Sequence, residues 1–212
     1  MSWIITRSGR KFDLLDPKPQ DVVLSDIAHA LAHQCRFAGH TRTFYSVAYH
    51  SYLTSYAVGK MPGLVVDSGR WMIEGSTGEV RRMLELEALL HDAHEAYCGD
   101  IPSPLRVALA DRTSELESII KRIDEVIRRK FHLPTIPSPR VAEADRVMLA
   151  TARRDVLAAA HNVEWPSLRG VRPLDRPIKP MTSERSEVLF YRRYFELTGD
   201  RGSDHDRSRT GK

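Results

Sequence analysis

The chain has 212 residues, of which 42% are hydrophobic and 28% charged, and a net charge of +4. Those values fit one globular domain with a substantial core and exclude a fibrous or low-complexity chain. The weakly basic balance tolerates a phosphate-bearing ligand. No Lys/Arg run of the kind nucleic-acid binders use stands out before the tail, and no run approaches the ~20 apolar residues of a membrane span.

Cys35 and Cys98 are too few for a disulfide framework, and Met1 to Thr6 run at once into Arg7, Arg10 and Lys11 rather than into a signal peptide. The expectation is a soluble, cytoplasmic protein without a stable nucleic-acid or membrane partner. Residues 1–200 read as one domain, with 1–20 as an N-terminal brace and 201–212 as a polar, disordered tail.

Taken in order, Trp3-Ile4-Ile5-Thr6, a Ser8-Gly9 turn and Lys11 to Leu15 predict a short hairpin closed by Asp16-Pro17-Lys18-Pro19. Val23, Ile27, Ala30 and Leu31 predict a first helix over about 24–35, and Phe44, Val47, Ser51, Thr54 and Val58 a second over about 43–59. Pro62, Gly63, Gly69, Gly75 and Gly78 mark 60–78 as a loop or insertion. A third helix runs over about 79–97.

The longest helical pattern covers about 106–131, with apolar residues at 116, 119, 120, 123, 126 and 127 on one face; that helix could also supply a dimer face. A fifth helix over about 139–162 follows, then a Pro-rich crossing to Pro180. A last helix to about Leu197 opens with Ser183 as N-cap and Glu184 and Glu187 near its positive end. The sum is an all-α domain with a small β-hairpin-like N-terminal piece.

The densest chemistry lies in His91-Asp92-Ala93-His94-Glu95-Ala96-Tyr97-Cys98-Gly99-Asp100-Ile101-Pro102-Ser103-Pro104. It follows the apolar run Met83 to Leu90, where an uncompensated charge is costly unless it is paired or binds a metal. On a continuous helix, Glu95 shares a face with His91 and Asp92. Gly99 stops the helix, and the Pro-Ser-Pro exit stiffens the turn that carries Asp100.

His50 lies mid-helix in an aromatic and apolar stretch. Asp145 falls on the stripe Val141, Asp145, Met148, Ala152, Val156, where an unpaired carboxylate is unusual. Singly, His50 reads first as a structural core histidine, and Asp145 reads equally as an N-terminal helix residue or the partner of a nearby arginine. Together, two imidazoles and two carboxylates suit a divalent transition metal with room left for water or substrate. The order His-x-x-His-Glu over 91–95 does not make a metalloprotease motif, so His94 reads as supporting or structural.

The pattern His50, His91-Asp92, Asp145 resembles the HD-domain metal-dependent phosphohydrolases. The text His-Asp-x-x-Glu-x-x-x-Gly-Asp-Ile-Pro-x-Pro is most similar to the branch of 5′-deoxynucleotidases, with phage dATP triphosphohydrolases nearby. Arg36-Phe37-Ala38-Gly39-His40-Thr41-Arg42 and Phe44 to His50 resemble a bacterial and phage subgroup of the same superfamily. The resemblance covers roughly residues 9–160.

The resemblance implies an HD helical bundle with a divalent ion (Mn, Co, Zn or Mg) held at its centre by His50, His91, Asp92 and Asp145. It implies Glu95 as the residue that orients or deprotonates water and Asp100 as a group near the leaving oxygen. Arg36 becomes a phosphate- or sugar-contacting residue in a substrate segment that includes Phe37 and His40, with Arg42 and Arg106 as further candidates. Phe37, Phe44 and Tyr45 suit either core packing or flanking a base. The implied substrate is a nucleotide: first a (deoxy)nucleoside 5′-monophosphate losing phosphate, second a deoxynucleoside triphosphate losing triphosphate. A catalytically silent nucleotide-binding module is the alternative from another class, an HD di-iron oxygenase lacks the extra histidines it needs, and a homodimer is implied.

Overall fold

The computed structural model describes residues 1–61, 65–67, 70–72, 78–159 and 163–199. The expected tail at 201–212 lies outside them, as do parts of the expected loop at 60–78 and the end of the expected fifth helix. The described chain is mostly helical: α1 (Leu24–His33), α2 (Val47–Val58), α3 (Gly78–Leu90), a single turn α4 (Glu95–Cys98), α5 (Ser103–Ala110), α6 (Glu115–Lys130), α7 (Pro139–Asp155) and α8 (Ser183–Thr198). Two antiparallel hairpins accompany them, β1 (Trp3–Ile5) with β2 (Lys11–Asp13), and β3 (Val65–Asp67) with β4 (Arg70–Met72). The second hairpin falls where a loop was expected.

α2 is the axis of the bundle, packed against α3, α7 and α8, while α8 also packs against α1 and α3. Its residues are buried nearly all round, which is why it shows no single apolar stripe. Ser46 caps it by accepting from Tyr49 N at 3.1 Å. Gly59, at its end, allows a close approach: a Cβ there would come within 2.0 Å of Glu85 Oε1. Glu85 in turn accepts from Arg193 Nη2 at 2.8 Å, tying α3 to α8 through a nearly buried ion pair.

The N-terminal hairpin braces the central motif from below. Phe12, fully buried, stacks on Tyr97 of α4 with ring centroids 3.8 Å apart. Asp26 of α1 accepts from both the amide (2.8 Å) and hydroxyl (2.7 Å) of Ser8 in the hairpin turn.

The structure corrects several boundaries: α2 begins at Val47 rather than near 43, and α7 ends at Asp155, with Val156 as its C-cap, rather than near 162. The helix expected over 106–131 is two, because Asp111-Arg112-Thr113-Ser114 interrupts it and Thr113 Oγ1 accepts from the amide of Glu115 at 3.1 Å; short polar side chains that bond the backbone locally compete with helix continuation. α6 then buries Ile120, Ile123, Val126 and Ile127 in the core, so its apolar stripe is not available as a dimer face, and α5 buries nothing. α3 stops at Leu90, so the motif leaves the helix as a turn. Thr182, not Ser183, is the N-cap of α8, accepting from Arg185 N at 3.2 Å.

Candidate metal centre

The four expected ligands come from three places in the bundle: His50 from α2, His91 and Asp92 from the turn after α3, and Asp145 from α7. Packing of α2 against α3 and α7 brings them together. His50 Nε2 lies 3.0 Å from Asp145 Oδ1 and 3.6 Å from Asp92 Oδ2. His91 Nε2 lies 3.2 Å from Asp92 Oδ2 and 3.8 Å from Asp145 Oδ1. His50, His91 and Asp92 each present a ligand atom within 4.8 Å of the other two. Asp145 departs from its expectation in one respect: its side chain is 38% exposed, since only the oxygen turned inward is covered.

The outer contacts prepare those atoms. His91 Nδ1 lies 2.8 Å from Ala88 O, so that N–H donates to the carbonyl and Nε2 faces inward, where a proton or a cation can occupy it; Nε2 is buried with no hydrogen-bond partner, as is Asp145 Oδ1. His50 Nδ1 is 3.3 Å from the hydroxyl of buried Tyr45, and its own carbonyl accepts from Thr54 Oγ1 at 2.9 Å. Bare, buried nitrogen and oxygen atoms converging on one point fit a divalent cation, and the mixed imidazole and carboxylate set suits a borderline transition ion.

The electrostatics agree. Burial opposes a charge on His91, yet Asp92 and Asp145 outweigh it and raise its pKa well above the usual value; burial opposes ionisation of Asp92 and Asp145, yet the histidines, with Arg36 beside Asp92, hold both carboxyls low. Burial, then Arg36, lowers His50 to about 4. The cluster thus keeps its carboxylates ionised and holds positive charge against them.

Glu95 and Asp100 border the cluster. Glu95 is 8% exposed, Oε2 has no partner, and burial followed by the charge of Asp92 pushes its carboxyl up to about 10. Burial likewise raises Asp100, whose carboxyl accepts from the Phe37 amide. Gln34, which carried no sequence signal, ties the two together: its Nε2 donates to Glu95 O and its Oε1 accepts from Asp100 N, both at 3.0 Å. Tyr45 was likewise unassigned as a partner of His50, because it precedes α2 and lies off any helical stripe.

Arg36 reaches the site but donates through Nη1 to Asp92 Oδ2 at 2.9 Å, with Nε buried and unpartnered. It sits in a loop closed by Arg36 N donating to Tyr45 O (2.9 Å) and Val47 N to Gln34 O (3.1 Å). Phe37 and Ala38 adopt φ of 58° and 52°, a strained conformation for non-glycine residues that such closure sustains. Phe37 packs against the Arg36 guanidinium, whereas His40 is exposed.

Arg42 and Arg106 do not join the ligands. Arg42 donates to Asp155 O at 2.8 Å, where a cation complements the C-terminal dipole of α7. Arg106 donates to both carboxylate oxygens of Glu117, at 2.9 and 2.7 Å, clamping α5 to α6. His94 is not among the converging groups, and Nδ1 is buried without a partner.

No protein-family model matches the sequence. The chain is 37% identical over 199 residues to the uncharacterised protein YfdR of Escherichia coli K12, spanning 93% of this chain and 97% of that one. It belongs to the YfdR family. A relative in Rhodobacter capsulatus, the uncharacterised protein RCAP_rcc00048, is 36% identical over 142 residues, 65% of this chain and 63% of its own. The YfdR match is long enough to span the whole cluster from His50 to Asp145.

Proposed function

We propose that this chain is an HD-type, divalent-metal-dependent phosphohydrolase that cleaves (deoxy)nucleoside 5′-monophosphates to nucleoside and phosphate. The observation that carries this reading is the convergence of His50, His91, Asp92 and Asp145, with His91 Nε2 and Asp145 Oδ1 buried and bare, beside the unpartnered Oε2 of Glu95 and a guanidinium. The resemblance of the same residues to the HD phosphohydrolases supports it.

His50, His91, Asp92 and Asp145 would hold the ion (Mn, Co, Zn or Mg). Once bound, it supplies Lewis acidity toward a phosphoryl oxygen and lowers the pKa of water. Glu95 takes the proton of the attacking water. A carboxyl pushed up to about 10 by burial is a poor base only until positive charge beside it draws its pKa toward neutrality, where general bases work best. Arg36 turns its guanidinium from Asp92 to the phosphate oxygens, for which its planar fork is suited. Asp100, whose carboxyl burial raises above its usual value, assists the departing 5′-oxygen.

The test is phosphate release from metal-stripped protein, using ribo- and deoxynucleoside mono- and triphosphates with each ion added back. Monophosphates are expected to release phosphate, and Glu95→Gln to lower the rate by about 10²–10⁴-fold, the usual worth of a positioned base. Intact triphosphate from a deoxynucleoside triphosphate would replace the nucleotidase reading with a triphosphohydrolase. Nucleotide binding without turnover, for every ion, would leave a silent binding module.

A further inference from the structure

Away from the central cluster, α1 and α8 bring a second group of ligand-type side chains together at the surface. His29 and His33 lie four residues apart on α1, the spacing that places side chains one above the other. Their rings are in contact, with centroids 4.1 Å apart. Glu187 reaches across from α8, its Oε2 3.0 Å from His29 Nδ1. One nitrogen of each ring and one oxygen of Glu187 lie within 4.8 Å of one another.

We propose that His29, His33 and Glu187 form a second, surface site for a borderline transition-metal dication such as Zn²⁺, Ni²⁺ or Cu²⁺. It would staple α1 to α8 and play no part in the chemistry at the centre.

Three features carry the assignment. His33 Nδ1 donates to His29 O at 2.8 Å, which leaves Nε2 as a free lone pair on a fixed ring, the arrangement that metal-binding histidines share. His33 is exposed and His29 and Glu187 only partly so, which provides an entry path and leaves positions open to water. Two imidazoles and one carboxylate select Zn²⁺, Ni²⁺ or Cu²⁺ over Mg²⁺ or Ca²⁺, which prefer all-oxygen shells.

Arg7 fits the same picture: its Nη1 lies 3.3 Å from Glu187 Oε1 on a half-exposed side chain, so a cation already balances the carboxylate that an ion would take. Because His29 and Glu187 are 158 residues apart, a bridging ion joins segments that the unfolded chain holds far apart, and binding stabilises the fold.

The experiment is Zn²⁺ titration of the full chain by calorimetry, with unfolding midpoints recorded alongside. Wild type, His33→Ala, Arg7→Ala and His91→Ala would be compared. Wild type is expected to bind one Zn²⁺ equivalent that His33→Ala lacks or binds roughly ten- to hundredfold more weakly, with loss of the matching rise in midpoint. His91→Ala should keep that equivalent, and Arg7→Ala should bind it more tightly. The same equivalents, affinities and midpoint shift in His33→Ala as in wild type would overturn the proposal, as would loss of that equivalent in His91→Ala. None of these readouts depends on turnover, so failure of the phosphohydrolase reading would leave the result standing.

Discussion

Asp92 Oδ2 faces three side-chain nitrogens at once, with Arg36 Nη1 at 2.9 Å, His91 Nε2 at 3.2 Å and His50 Nε2 at 3.6 Å. A carboxylate shared this way stays ionised, but a cation entering the cluster competes with Arg36 for it. Removing the guanidinium should therefore separate its two relations, to the carboxylate and to substrate. Arg36→Ala is expected to raise KM for a nucleoside monophosphate by about tenfold or more, the scale of one charged hydrogen bond of about 1.5–3 kcal/mol. Metal affinity, measured by calorimetry without nucleotide, should hold or increase. A fall in metal affinity with KM unchanged would place Arg36 in support of Asp92 rather than on the phosphate.

Among the elements, α7 does two jobs with different faces. Val141, Ala144, Met148 and Ala152 pack into the bundle, which aims Asp145 at His50, while its last turn anchors the Pro-rich crossing that leads to α8. Thr151 Oγ1 accepts from Leu174 N (2.9 Å), Arg154 Nη1 donates to Leu174 O (2.7 Å) and Asp155 Oδ2 accepts from Ile178 N (2.8 Å). Proline-rich backbone has few amides of its own to form a ladder, so side chains of α7 hold it.

The carboxyl of Asp155 is lowered below 3.8, first by Arg154 and further by the amide of Ile178. A depressed folded pKa gives stability that is complete above the unfolded value and is lost as pH falls through the folded one. Asp155→Ala is therefore expected to cost about 2 kcal/mol by urea unfolding at pH 7, the scale of a charge-assisted hydrogen bond. The gap between variant and wild type should close below about pH 3.8. A gap that does not change with pH would assign the loss to packing instead.

For the whole molecule, the cluster joins α2, the turn after α3, and α7, so an ion there would hold three segments of the bundle in register. An ion at a hundredfold its Kd adds about 2.7 kcal/mol, and a chain of this size gains roughly 2–4 °C per kcal/mol. Chelation of Mn²⁺-loaded protein is thus expected to lower the unfolding midpoint by about 5–10 °C, measured in a His33→Ala background so that the surface histidines do not contribute. His91→Ala in that background should not respond to the chelator. Equal midpoints with and without chelator in the parent would remove the structural role of the ion.

Local pattern accounts for the first hairpin, for the existence of the main helices and for Gly99 at φ 84° after α4, all of which follow from period, caps and backbone preference within a few residues. The errors were also local, where equally short-range competition went the other way, as in the break at 111–114 and the end of α3 at Leu90. Which side chains meet is a different kind of question, since it depends on the packing of helices distant in sequence. Packing alone brought Gln34 between Glu95 and Asp100, set Arg36 on Asp92, sent Arg42 to the end of α7 and Arg106 to Glu117, and paired His29 with Glu187. Helical period assigns a residue to a face; only the burial of that face against another helix gives its side chain a partner.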